Sequence, residues 1–566
     1  MMNLGSIAKL SNMESVRLAA VEKFEIHPSP AITSQYNTMK GLLNVSVSPN
    51  VICVIVSLIN LFNFVDRGII PGSTQEFNAF IKHNIDTNTP DVYLGLLQSA
   101  FVVGFVVGSV IFGHMIHHHA RFFLAGVGMS MWIGAVFLSG LSYSTGSYTF
   151  LIIVRMLSGF GEASLQCTIP PWIESNVSEK SRGAWLSLFY TAIPVGTAVG
   201  YTYSSIISST IGWQYAFFIE GLIMIPAVVF LFAISPSYPL VKHTSSETGN
   251  KYEGLELQSI HNEPESISGE ASKQDHHHAA PSLWDEVLIV MSSPLFVLIA
   301  FANAAQTATL IGVSTFGSAF MMGLGYYDTE AQSSTVFGIL ISIAGIVGTP
   351  VGGLVLDWCL ALAPITKQID DVASNASYGT EPDVDIIETK VDSIDDPKKK
   401  ALALHQIFIL NYWSTLAGVL LLALTYFVYS QGLYLTIITI GCCIIFFTYP
   451  AINLSVMLSV NHVNRSLAIA LVCIIGHVFG DVPSPIIVGY MKDYFAPDCI
   501  AQQNADDAVA GNIAASSECR ADGIGLRFTM FLVFIYMYST VIFFGIAWYI
   551  NTLNIEKYSR RPVSNE

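Results

Sequence analysis

Long apolar runs recur along this chain, divided by short polar breaks and by two much longer ones. Twelve runs, at about 51–72, 92–116, 122–144, 148–171, 184–208, 214–234, 294–322, 334–360, 404–430, 432–458, 466–491 and 525–551, are each long enough to cross a bilayer as an α-helix. Backbone polar groups in hydrocarbon must be satisfied within their own segment, so runs of this length predict helices. The expected fold class is all-α integral membrane, with twelve transmembrane helices in two six-helix bundles. Residues 1–49 form a polar tail, 50–234 the first bundle, 235–293 a linker, 294–551 the second bundle and 552–566 a second tail. The linker has no apolar period and reads as disordered, with a short surface helix near 282–290. Polar loops at 361–403 and 491–524 interrupt the second bundle.

Composition narrows this further. Only 12% of the 566 residues are charged, and mean hydropathy is +0.54, which excludes a soluble globular protein. The net charge of −16 lies largely in the two longest breaks and is no sign of a nucleic-acid partner. The first residues are polar and mixed, so no cleavable signal peptide is expected. With both termini in the cytosol, 19 Lys and Arg fall on cytosolic segments and 4 on the far side, namely Lys82, Lys492, Arg520 and Arg527. Positive charge favours the cytosolic face, so this is the expected orientation. Six of the eight cysteines lie in or beside spans and read as small apolar fillers. Cys499 and Cys519 share the far-side loop 491–524; an oxidising compartment would permit a disulfide there, and two free thiols are the alternative.

The chemistry lies in charges set inside the spans. The fourth span carries Arg155 and Glu162 near its middle. Ionisable groups at that depth cost on the order of 3 kcal/mol or more each and mark solute or proton paths, or structural ion pairs. Seven residues make two helical turns, so the two side chains share a face. The first span brings Asn63, Asp66 and Arg67, and the sixth adds Glu220. Asn303 and Gln306 on the seventh span suit a cavity wall. His477 and Asp481, four apart on the eleventh, share a face and precede Pro483 and Pro485. Pro194 bends the fifth span, where helices of a moving bundle would flex. The second span runs into Gly113-His-Met-Ile-His-His-His-Ala-Arg121, and Asp357 takes the corresponding position in the second half. Three consecutive histidines do not converge on one point, so no metal is expected; a pH-sensitive gate or a solvated turn remain. With no nucleophile–base pair and no phosphate loop, neither an enzyme nor a cofactor is expected.

Four stretches carry a family resemblance: Asn63-Phe-Val-Asp-Arg67, Arg155-Met-Leu-Ser-Gly-Phe-Gly-Glu-Ala-Ser164, Phe189-Tyr-Thr-Ala-Ile-Pro-Val-Gly196 with Gly200-Tyr201, and Gly476-His-Val-Phe-Gly-Asp-Val-Pro-Ser-Pro485. With six plus six spans and a long middle loop, the chain resembles the major facilitator superfamily, and within it the Spinster family. The resemblance implies alternating access around a mid-membrane cavity, and a solute such as a lysophospholipid or a sphingoid phosphate. It matches Asp66 and Glu162 to the family's titratable carboxyls and Arg155 to its membrane cation. One departure stands out: the first-half turn has His117 and His118 where the family has Asp and Arg. Glu220 has no matching position.

Together these readings describe a proton-linked secondary transporter of an amphipathic anion. Asp66 and Glu162 would carry protons, and Arg155, Asn63, Asn303, Gln306 and His477 would line the solute site. His117, Arg121, Pro194, Asp357 and Asp481 would serve gating. Its partners would be the bilayer, the solute and protons, and the chain would act as a monomer in a lysosomal, endosomal or plasma membrane. A facilitator of sugars shares the architecture but should have a cavity rich in Asn, Gln and aromatic residues. A non-transporting receptor would bind its ligand without moving it.

Overall fold

The computed structural model describes residues 47–116, 118–235, 283–362, 397–461, 464–499, 519 and 522–559. Most of the linker, most of the 361–403 and 491–524 loops, both tails beyond these limits and His117 lie outside the described residues. The first half contains α1 (Pro49–Gly72), α2 (Thr74–Asn84), α3 (Pro90–Met115), α4 (Arg121–Thr145), α5 (Tyr148–Asn176), α6 (Glu179–Thr210) and α7 (Trp213–Ile234). After a short α8 (Leu283–Met291) come α9 (Pro294–Gly323), α10 (Glu330–Leu362), α11 (Pro397–Leu424) and α12 (Gln431–Leu458). The last two spans are each broken. α13 (Arg465–Gly476) passes through a π-helical turn, His477–Asp481, into α14 (Pro483–Phe495), and α15 (Gly523–Tyr536) is followed by α16 (Tyr538–Ser559).

Eleven segments among the described residues are long and apolar enough to cross a membrane by length and composition. α6 is the twelfth. Its 32 residues reach that length, but hydroxyls and glycines dilute its hydropathy. Local signals set the ends. Ser147 Oγ accepts a hydrogen bond from the Phe150 amide at the start of α5, and Ser293 does the same for Phe296 at the start of α9. Gly146 closes α4 with φ at 60°, a conformation that favours glycine.

The structure differs from the sequence expectation in several places. α2 is a polar, amphipathic helix that no search for membrane-length apolar runs would register. α11 begins at Pro397, so Lys398–Lys400 belong to its first turn rather than to a loop. The eleventh span extends past the expected 491 to Phe495 and carries the π turn in its middle.

Lipid tails are as apolar as leucine, so helices in a membrane gain little from hiding apolar surface and associate through close van der Waals packing. Glycines permit that here. A Cβ on Gly104 of α3 would collide with the Met156 carbonyl oxygen of α5, and one on Gly159 of α5 would collide with the Phe101 carbonyl oxygen of α3. α1 packs along α6 in the same way, with Gly68 against Gly200. Between the halves, α3 packs on α14 and α6 on α10. Ser342 donates to the Pro194 carbonyl oxygen at 2.7 Å across the α6–α10 contact, and Ser99 to that of Val482 at 2.5 Å beside the α3–α14 contact.

Because the α3–α5 approach has no spare room, Gly104→Ala is expected to destabilise the fold by roughly 1–3 kcal/mol. Gly134→Ala, at a position with nothing within 4 Å of the added carbon, should leave stability unchanged. Thermal unfolding of both variants in detergent checks the contrast.

Candidate functional site

The mid-membrane charges pair between helices rather than along them. Arg155 Nη1 of α5 donates to Asp66 Oδ1 of α1 at 2.7 Å. Two turns further along α5, Glu162 Oε1 accepts from Arg67 Nη2 at 2.7 Å and from Arg67 Nε at 3.0 Å. Consecutive residues of α1 thus engage consecutive double turns of α5. Ser158, on the same α5 face, donates to Asp66 Oδ2 at 3.2 Å. Aromatic rings enclose both guanidiniums: Phe64, Phe101 and Phe105 lie 4.7–4.9 Å from that of Arg67, and Phe101 and Phe217 lie 5.0 and 5.5 Å from that of Arg155. Glu220 of α7 is buried, and its carboxyl interacts electrostatically with Asp66, Arg155 and Glu162. The cluster therefore sets three carboxyls against two guanidiniums. With every group ionised it would carry one excess negative charge in a low dielectric, and a single proton removes it.

A cavity of about 170 Å³ opens beside this cluster, between the halves. Phe64, Arg67, Phe101, Pro194, Thr197 and Tyr201 line it from the first half, and Leu310, Ile311, Ser314, Thr315, Ile341 and Phe446 from the second. Arg67 is the charged residue among its lining. The Arg67 side chain is 25% exposed, whereas those of Asp66, Arg155 and Glu162 are fully buried.

The expected solute contacts differ from this lining. Arg155 does not line the cavity; it is sealed against Asp66 and two rings, and Arg67 is the cation that meets the cavity. Asn63 turns into its own half, with Nδ2 3.8 Å from Met129 Sδ. Gln306 is buried and ties α9 to α12 through Thr448 and the Ile445 carbonyl oxygen. Asn303 sits against Gly476. His477 Nδ1 lies 2.6 Å from Asp481 Oδ2 within the π turn, and its ring packs edge-on against Phe105 of the other half at 5.6 Å. None of these four lines the cavity. Of the gating set, Pro194 stands at the contact between halves, while Asp357 is exposed. Arg121 donates to the Pro171 carbonyl oxygen and to Ser175, both in its own half. Cys499 and Cys519 are joined by a disulfide.

The face that carries α2 holds a second set of contacts that the sequence reading missed. Lys492 of α14 forms an ion pair with Asp91 of α3, Asn78 of α2 donates to Asp91 Oδ1 at 2.7 Å, and the Val92 amide donates to Asp493 at 3.2 Å. Burial holds the Lys82 ammonium below its usual value, against the upward pull of Asp91 and Asp493. On the same face, Glu330 of α10 accepts from the Thr74 hydroxyl at 2.8 Å and the Gln75 amide at 3.2 Å. Ser334 and Ser318 donate to the carbonyl oxygens of Gly72 and Pro71. These bonds join the two halves on this face. A pair such as Asp91–Lys492, some 400 residues apart, leaves no periodic trace in a single sequence.

Comparison with known proteins agrees with this architecture. The family model for the Major Facilitator Superfamily matches residues 56–369. The chain is 27% identical over 465 residues to an Arabidopsis thaliana protein named probable sphingolipid transporter spinster homolog 3, covering 79% of this chain and 80% of that one. It is 28% identical over 459 residues to homolog 2 of the same plant, covering 79% and 82%. A crystal structure of a bacterial homolog of the human lysosomal transporter Spinster, in an inward-facing and unoccupied conformation, superposes with a TM-score of 0.63 at 14% identity, over 90% of this chain and 99% of that one; at that identity the likeness is one of fold. The chain belongs to the major facilitator superfamily and is a membrane transporter of the spinster type.

Proposed function

We propose that this transporter moves an amphipathic anion, of the lysophospholipid or sphingoid phosphate class, by proton-linked alternating access. The observation that carries this reading is the cavity lining: one guanidinium, that of Arg67, set among apolar and aromatic side chains. A phosphate head would meet Arg67 and an acyl tail the apolar wall. The naming of the Arabidopsis relatives as probable sphingolipid transporters supports the same class. A sugar site would need amide-rich walls, and the lining holds one amide side chain, Gln98.

The same geometry suggests how the proton takes part. Glu162 and an anionic head would compete for Arg67. When Glu162 takes a proton, its hold on the guanidinium weakens and Arg67 is free to receive the head. Loss of the proton restores the Arg67–Glu162 pair and expels the solute. Asp66 keeps Arg155 in place throughout, and Glu220 holds the cluster's charge balance. The distribution of Lys and Arg supports cytosolic termini, an orientation that would make the α2 face the far side. With that face joined across the halves, this orientation would make the conformation inward-facing. A lysosomal, endosomal or plasma membrane would supply the proton gradient.

Reconstitution into liposomes tests this reading. Arg67→Gln removes a charge-assisted contact of about 1.5–3 kcal/mol, so uptake of lysophospholipid or sphingoid phosphate should fall at least about tenfold. Glu162→Gln should keep uptake but lose its dependence on an imposed pH gradient. Full transport by the Arg67 variant, or sugar uptake exceeding lipid uptake in the wild type, would refute the solute class. An unaltered pH response in the Glu162 variant would refute the proton role.

A further inference from the structure

On the α2 face the acids Asp91 and Asp493 have Lys492 and Lys82 beside them. A second acid pair there is built differently. Glu330, at the start of α10, is 8% exposed. Its carboxyl lies within hydrogen-bonding reach of the Glu76 carboxyl of α2, in the other half. The Oε2 atoms of both residues are buried and have no hydrogen-bond donor among the described residues. Glu330 Oε1 is already taken by the Thr74 hydroxyl and the Gln75 amide. Among the described residues, the charged group acting on Glu330 is Glu76; Thr74 and Gln75 from α2 are its other polar partners.

An ionised carboxylate only accepts hydrogen bonds. Two carboxylates in contact therefore repel, and their contact becomes a bond only when one holds a proton. The pair then keeps one negative charge. The first turn of α2, through the Thr74 hydroxyl and the Gln75 amide, stabilises that charge, since helix N-termini favour anions. We propose that Glu76 and Glu330 form a proton-binding site made from both halves, one that exists only while this face is closed. The site is separate from the mid-membrane cluster and takes its proton from the compartment that the α2 face meets. Because the site binds a proton in the closed state alone, acidity in that compartment favours closure and loss of the proton favours parting of the halves. The inference rests on alternating access but not on the identity of the solute.

The test is a distance measurement that needs no solute. The full chain, with its six free cysteines replaced and the disulfide kept, carries spin labels at Asn88→Cys and Tyr429→Cys, one on each half. Distances are recorded in nanodiscs at intervals from about pH 5 to about pH 8, so that a linked proton is read from the slope with pH. In the wild type the ratio of long to short distances should rise with pH, by up to about tenfold per unit for a single linked proton. In Glu330→Gln the amide supplies a permanent donor to Glu76, so the short distance should persist at every pH. Glu76→Gln should behave alike, and because Glu76 is only partly buried it keeps the test decisive if the Glu330 variant folds poorly. Glu162→Gln should retain the wild-type response even where it abolishes coupled transport. A wild-type distance indifferent to pH, a response that survives in both glutamine variants of the pair, or a response lost in Glu162→Gln would each overturn the proposal.

Discussion

A charge inside hydrocarbon persists only where something offsets it, and this condition organises the first half of the molecule. Asp66 and Arg67 on α1 insert against Arg155 and Glu162 on α5, so each helix supplies one acid and one base to the other. The cross-pairing fixes the rotation and the height of the two helices, because a shift of either by one turn would strand four charges, three of them fully buried. Removing a single member of a buried pair leaves an uncompensated charge, which is why such pairs act as registers more than as sources of stability. The rings of Phe101 and Phe217 complete the environment of Arg155, and Phe101 also borders the cavity. The polar centre and the cavity thus share a wall.

The two pairs differ in what they can do. Arg155 and Asp66 are fully buried, and their bond is a fixed strut. Arg67 is partly exposed while its partner Glu162 is not, so one side of that bond is open to exchange. The halves meet along α3–α14 and α6–α10. Pro194 lies in the second of these contacts and also lines the cavity. Any movement of one half on the other is therefore felt directly at the cavity.

The sequence made the spans legible, because length and apolarity suffice to identify a segment that must satisfy its own backbone in lipid. It also brought Asp66, Arg155 and Glu162 forward, since an ionisable residue inside such a segment is conspicuous. Which charge meets which was not legible. Arg67 and Arg155 look alike as residue types, and only the rotation of α1 against α3 and α5 decides that the first faces the cavity and the second faces Asp66. Gln306 and Asn63 misled for a related reason: a polar side chain in a span can serve helix packing as well as a cavity. α2 escaped notice because it is short and polar, and the contacts of the α2 face because they join residues hundreds of positions apart. The early start of α11 has a simpler cause, for lysines at a helix end can extend their stems along apolar surface, and the Lys400 ammonium here donates to the Val460 carbonyl oxygen at 2.7 Å.

The bond between Cys499 and Cys519 bears on how the molecule is set in its membrane. It lies between α14 and α15, at the same end as α2 and the Asp91–Lys492 pair. Cytosolic reductants keep thiols apart, whereas secretory lumens and the cell exterior allow them to join. A lasting sulfur–sulfur link thus works as a chemical compass. Such a link would set that end away from the cytosol on redox grounds, wholly apart from any reckoning of lysine and arginine.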